Sequence, residues 1–257
     1  MTAQATSSTR VVAALAATVL GAAGLCLPGR AAAAPESLRE GLFGPKPADG
    51  RQNMGPPVAR YVSADGDGFI LDRSVPRPLL KFDNSPEVFA LSPYPAPRGD
   101  VIYKNDLGEP VLRATRLGGV TVFTSDRPGG SAAALAGPGA ALRLASSGPQ
   151  MLLERLGQAS ARASRAARRL IPFDAEATPG SAALIADAAM VASEAVVRMS
   201  RKGETKAISQ IGRVRLVEGG KAQVQFDRGA MILTVAPAQG LAGRPSSNRI
   251  VAAAKKR

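Results

Sequence analysis

Asp106 and Glu109 stand three residues apart, with Asp100 and Asp126 near them in the sequence. Two carboxylates held roughly 5–9.5 Å apart are the working parts of most glycoside hydrolases. This pair is therefore the candidate acid pair for catalysis, and a carboxylate-dependent hydrolase acting on cell-wall glycan is the alternative function. Turn acids that accept backbone N–H bonds are the simpler reading of the same positions.

The composition closes off most other chemistry. Histidine and tryptophan are absent, and the one cysteine, Cys26, lies in an apolar stretch near the start. His-dependent triads, cysteine nucleophiles beyond that stretch and metal sites built on His or Cys fall away. No G-x-S-x-G elbow, S-x-x-K pair, G-x-x-x-x-G-K-[ST] loop or G-x-G-x-x-G turn occurs. Asp65-Gly66-Asp67-Gly68 has the oxygen-rich look of a calcium loop. Ser63 and Ser74 occupy two ligand positions of that pattern, however, so a hairpin turn is expected. Neither a metal site nor a cofactor is expected.

The second candidate is electrostatic. The formal net charge is +13. Residues 34–147 carry 13 basic and 12 acidic side chains, whereas residues 148–257 carry 18 and 8. Arg155, Arg162, Arg165 and Arg169 recur at helical spacing, with Arg168 beside them, which places an anion-binding stripe on one helix. Arginine on an alanine-rich helix also makes an ordinary solvated face. The partner such a stripe implies is an anionic envelope polymer or an acidic protein. Nucleic acid is not expected, because no recognisable binding module is present. The oligomeric state is left open.

These residues need elements to hold them. Residues 1–33 read as a secretory signal, with cleavage expected after Ala33. They would leave no transmembrane span behind and direct the protein to the periplasm or the exterior. Residues 34–57 are rich in Pro and Gly and read as a flexible lead-in. Residues 58–128 carry short β-strand signals around the turns at Asp65-Gly66, Asn105-Asp106 and Gly118-Gly119. The run Pro93-Tyr94-Pro95-Ala96-Pro97 is expected to lie outside any sheet. Residues 129–150 are low in complexity and read as a linker. In residues 151–236, apolar positions from Leu152 to Leu170 recur at spacings of three and four, predicting one helix that Pro172 closes. A second helix is expected to start with Thr178 as N-cap and to stop at Gly203. Three strand signals follow, expected to form a meander, and residues 237–257 read as a loose basic tail. The fold class is α+β: a β-hairpin-rich N-terminal part followed by two helices packed on a short antiparallel meander.

Three segments carry a resemblance. The run from Arg98 to Phe123 through Tyr103-Lys104-Asn105-Asp106-Leu107-Gly108-Glu109 resembles a family of secreted alphaproteobacterial proteins with a domain of unknown function. Arg162-Ala163-Ser164-Arg165-Ala166-Ala167-Arg168-Arg169 and Leu241-Ala242-Gly243-Arg244-Pro245-Ser246-Ser247 are similar to the same family. The resemblance implies a Gram-negative envelope location and assigns no activity, so no site residue follows from it. The expected function is a non-catalytic periplasmic or envelope binding or structural protein, with its basic C-terminal half contacting an anionic polymer or acidic partner.

Overall fold

Asp65 to Gly68 turn the chain between β1 (Val58–Ser63) and β2 (Gly68–Asp72). Gly66 takes the left-handed conformation (φ 91°), and Ser63 N–H donates to the Asp67 carbonyl at 2.9 Å. The computed structural model describes residues 55–256, all within one unit. The signal segment and the lead-in through Met54 lie outside the described residues.

Seven further strands follow: β3 (Leu79–Phe82), β4 (Val88–Ala90), β5 (Ser92–Pro95), β6 (Val101–Lys104), β7 (Pro110–Ala114), β8 (Val120–Val122) and β9 (Ser131–Pro138). They form one antiparallel sheet in the order β4-β3-β2-β1-β9-β8-β7-β6-β5. The two end strands are separated in sequence by Leu91 alone. A sheet whose ends are joined by one residue must curl back on itself, giving a near-barrel. Leu91 is fully buried and donates its N–H to the Pro78 carbonyl at 2.7 Å. Tyr61, Phe69, Leu71, Leu80, Tyr103, Leu112 and Val122 converge from around the circle into one core with it. Alternation along each strand puts these residues inside.

Two expectations change here. Pro93 and Pro95 do lie in a strand: β5 pairs only with β6, and an end strand tolerates missing N–H groups on its outer side. The 129–150 stretch, expected to be a linker, contains β9, which seats between β1 and β8 and connects the two runs of hairpins. Its small residues suit close approach. A Cβ on Gly139 would come within 3.0 Å of the Ala59 backbone.

The C-terminal half is layered. α1 (Pro149–Ala167) starts with proline in its first turn and ends at Arg168 in the left-handed conformation (φ 54°). It stops short of Leu170, which is exposed. β10 (Phe173–Ala175) leads to α2 (Ala182–Arg201), which follows a turn in which Ala182 N–H bonds the Thr178 carbonyl. α3 (Thr205–Ser209) is one turn long. The second sheet comprises β10, β11 (Arg213–Glu218), β12 (Gln223–Asp227) and β13 (Ala230–Val235), in the order β10-β11-β13-β12. The expected meander is therefore corrected, since β11 pairs with β13 in parallel and β12 lies at the edge. The burial pattern explains why. Alanine, methionine, leucine and valine of β13 are buried, whereas Gln223, Gln225 and Asp227 alternate outward on β12 and suit an edge. Ile185, Val196 and Met199 of α2 pack on Val214, Leu216, Met231 and Leu233.

The tail is also corrected. After a 3-10 turn at Pro237–Gly243, α4 (Ser247–Lys255) packs on α2 and buries Ile250 and Ala254. Ser246 caps it, accepting from Arg249 N–H. The architecture is thus α+β, with a near-barrel, a helical layer and a second small sheet.

Candidate functional site

Where the near-barrel meets α2 and α4, a cleft of about 1110 Å³ opens. Its barrel wall carries Phe82, Phe89 and Phe123 with Asp67, Glu109 and Asp126, and its helical wall carries Glu194, Arg198, Arg201 and Lys255. At its base, residues 244–247 tie the two layers together. Arg244, with its side chain 2% exposed, bonds Asp187 of α2 through Nε and the Val88 carbonyl of β4 through its terminal nitrogen at 2.9 Å. Glu87 lies 3.6 Å from the same guanidinium, equally buried, and accepts from Ser247 N–H at 2.9 Å and from Ser247 Oγ. Burial pushes the Glu87 carboxyl up, against the opposing pull of Arg244. Arg198 reaches Ser247 Oγ at 2.6 Å and Asn248 Oδ1 at 2.7 Å. Every charged group in this network has a protein partner, which marks it as an anchor.

The candidate acids are placed apart in function. Asp106 accepts from Ser246 N–H at 2.9 Å and Ser246 Oγ at 2.6 Å, so it supports the start of α4. Glu109 accepts from Asn105 Nδ2 at 2.8 Å, within its own turn. Asp100 takes the Arg113 guanidinium, whose hydrogen bond holds the Asp100 carboxyl below its ordinary value. Asp65, in the calcium-like turn, faces Arg127 at 3.4 Å. Among the described residues, no group of three or more His, Cys, Asp or Glu is set to hold a metal ion.

The arginine stripe is divided. Arg162 pairs with Glu194 of α2. Arg169 donates to the carbonyls of Ile208 and Ile211 at 2.8 and 2.6 Å, closing the C-terminal end of α3. Arg155 bonds Gln158 at 3.3 Å on the exposed face of α1. Arg165 and Arg168 are exposed and have no acidic partner among the described residues.

Those two belong to a different cluster, which helical spacing alone does not reveal. Arg162 faces Glu194, and Ser200 Oγ donates to the Ala166 carbonyl at 2.8 Å. Contacts that advance along both helices together mean that α1 and α2 run parallel. Their C-terminal ends therefore lie side by side, with α3 attached through Arg169. Arg165 and Arg168 from α1, Arg201 and Lys202 from α2, and Lys206 from α3 gather there, all exposed. None of the five pairs with an acid among the described residues. Each helix end presents about −0.5 of a charge. Two ends supply about −1, and Glu204, between Lys202 and Lys206, is taken by Lys255 at 2.7 Å, so five cations leave a net positive end. Arg201 also lines the cleft, making the cationic end continuous with the cleft's helical wall. Arg201, Lys202, Lys206 and the network around Arg244 escaped sequence reasoning. Their signals were faint: cations flanking the helix-stopping Gly203, and Ser246 as an N-cap.

No helix among the described residues is long and apolar enough to cross a membrane. No curated protein and no solved structure matches the chain. A family pattern does match, over residues 37–254, taking in the barrel strands, the helical layer and all but the end of α4. The chain belongs to the family described as a domain of unknown function (DUF4908).

Proposed function

We propose that this is an exported, non-catalytic envelope protein that holds an anionic polymer or an acidic protein partner on the cationic end of its helical layer. The observation that carries the reading is the meeting of Arg165, Arg168, Arg201, Lys202 and Lys206 at parallel helix ends without acidic partners among the described residues. An excess of charge at one end concentrates polyanions through its summed field. The signal-like residues 1–33 support the location. The acids that a hydrolase would need are instead bonded to Ser246 and Asn105.

Retention of the full chain on an immobilised anionic polysaccharide tests the reading. Affinity is expected to fall steeply with salt, because each bound cation displaces counterions. Combined charge reversal at Arg165, Arg168, Lys202 and Lys206 is expected to abolish retention. Reversal at Arg155, away from the helix ends, is expected to leave most of it. Equal effects from the two sets, or binding indifferent to salt, would overturn the assignment.

A further inference from the structure

A second cavity is a notch of about 470 Å³. Three segments meet at it: the loop from Val75 into β3, the stretch from β9 to α1, and the 3-10 turn before α4. Its walls are apolar, built from Val75, Leu79, Leu142, Leu144 and Leu241. Its volume falls within the roughly 300–1,000 Å³ typical of small-molecule sites.

Two of the three walls are fixed by bonds of their own. Leu142 N–H donates to the buried Asp72 carboxylate at 2.9 Å, and Ala236 N–H closes the 3-10 segment on the Gly243 carbonyl at 2.7 Å. The notch is therefore preformed, which lowers the cost of filling it.

Two arginines line it, and only one of them faces a carboxylate. Arg143 lies 3.6 Å from Asp72 and is neutralised by it. Arg77 has no acidic partner among the described residues. Its terminal nitrogens reach only Ser92 Oγ at 3.4 Å and the Ala242 carbonyl at 3.5 Å, and its Nε is buried with no acceptor. One uncompensated cation over a hydrocarbon-lined notch calls for one negative charge on an apolar chain.

We propose that the notch binds a single-chain aliphatic carboxylate, its tail against Leu79, Leu142 and Leu241 and its carboxylate on the Arg77 guanidinium. The terminal nitrogens, held only by long bonds to Ser92 and Ala242, supply the N–H donors that a carboxylate accepts. The site is separate from the cationic helix end and does not depend on it.

The probe is dodecanoate labelled with carbon-13 at the carboxyl, titrated into the full chain below the concentration at which it forms micelles. Its carboxyl resonance is expected to shift and saturate at one molecule per chain. Dodecanol, with the same tail and an uncharged head, is expected to compete about tenfold more weakly, the difference a charge-assisted hydrogen bond produces. Arg77→Gln is expected to bring dodecanoate to the level of dodecanol and leave dodecanol unchanged. Ala242→Leu, which narrows the notch, is expected to weaken both. Circular dichroism confirms folding, and the head-group comparison on the unaltered chain stands even if a variant misfolds. Absence of saturable dodecanoate binding, or equal affinity for the two heads, would overturn the proposal. So would capture by anionic phospholipid vesicles without binding of dissolved dodecanoate, since the occupant would then be a bilayer lipid.

Discussion

Replacing Arg244 with methionine keeps much of the side chain's bulk and removes its charge. In the native protein that guanidinium serves Asp187, the Val88 carbonyl and Glu87 together, at 2% exposure. Removing one partner of a buried ion pair costs about 3–5 kcal/mol, because the remaining charge is stranded. Two features of the site place Arg244→Met at the lower end of that range. Asp187 is 29% exposed and regains water, and Glu87 keeps both bonds from Ser247. A loss of about 3 kcal/mol lowers the melting temperature of a chain this size by about 6–12 °C. The unfolding midpoint in urea, followed by far-ultraviolet circular dichroism, measures it in a protein without tryptophan. Glu87→Gln leaves the Arg244 to Asp187 pair in place and is expected to cost only about 1 kcal/mol. The double variant should cost less than the sum, since the two residues share one network. A loss below about 1 kcal/mol for Arg244→Met would refute the argument. It would mean that water, rather than Arg244, satisfies the acids between the two layers.

Two further outcomes follow from neighbouring groups. Asp106→Ala removes the acceptor for Ser246 N–H and Oγ and is expected to destabilise the protein by about 1–2 kcal/mol through α4. The same variant should leave retention on the anionic matrix unchanged, and a specific loss of retention with stability intact would return Asp106 to the list of functional acids. Stability should also depend on pH in two opposing ways. Asp100 is held below the ordinary carboxyl value by the Arg113 hydrogen bond, and Glu218 by one from Ser181. On acidification the unfolded chain binds protons at these positions first. Their stabilisation is thus present above about pH 4 and lost as pH falls through the folded values. Glu87 is shifted upward by burial, so between its unfolded and folded values the folded chain binds more protons there than the unfolded chain. Its contribution is present below about pH 4 and lost as pH rises through its folded value, so the cost of Glu87→Gln should shrink toward neutral pH. Urea midpoints across that range check both signs, and a Glu87→Gln cost that grows with pH would contradict the second.

The hairpins of the first half were legible because Asp-Gly and Gly-Gly turns dictate local geometry that no distant contact has to supply. Closure of the near-barrel was not legible. It depends on Leu91 joining two strands that each pair with a different neighbour, and no local pattern records that. The alanine and glycine of β9 read as a linker because small residues mark flexible chain and close packing alike. α1 and α2 were visible from their apolar spacing, but spacing is silent on their relative direction. The 14-residue return that carries β10 makes them parallel. That single fact brings the unpaired cations to the adjoining ends of α1 and α2, beside α3, rather than along a stripe on α1. Arg162 and Arg169 fit the helical spacing, yet the helix ends at Ala167, before Arg169, and partners on other elements claim both. The acid pair was legible as turn chemistry, and its true partner for Asp106 lies 140 residues away.

Strand order also sets a sequence of events in time. Among the described residues β1 is the first strand made, and one of its two neighbours, β9, is the last of the nine, with Tyr61 opposite Leu135. A chain emerging from its N-terminus therefore carries a bare β1 edge through the synthesis of seven intervening strands. Pairing of that range is slow to form, and an open edge in the meantime invites union with other chains. Once β9 arrives, the barrel layer still lacks its tie to the helices, because Arg244 and Ser247 emerge near the end. Chains cut short before residue 131 should thus be the most prone to aggregate. Those cut between 139 and 243 should retain the sheet but lose its fastening.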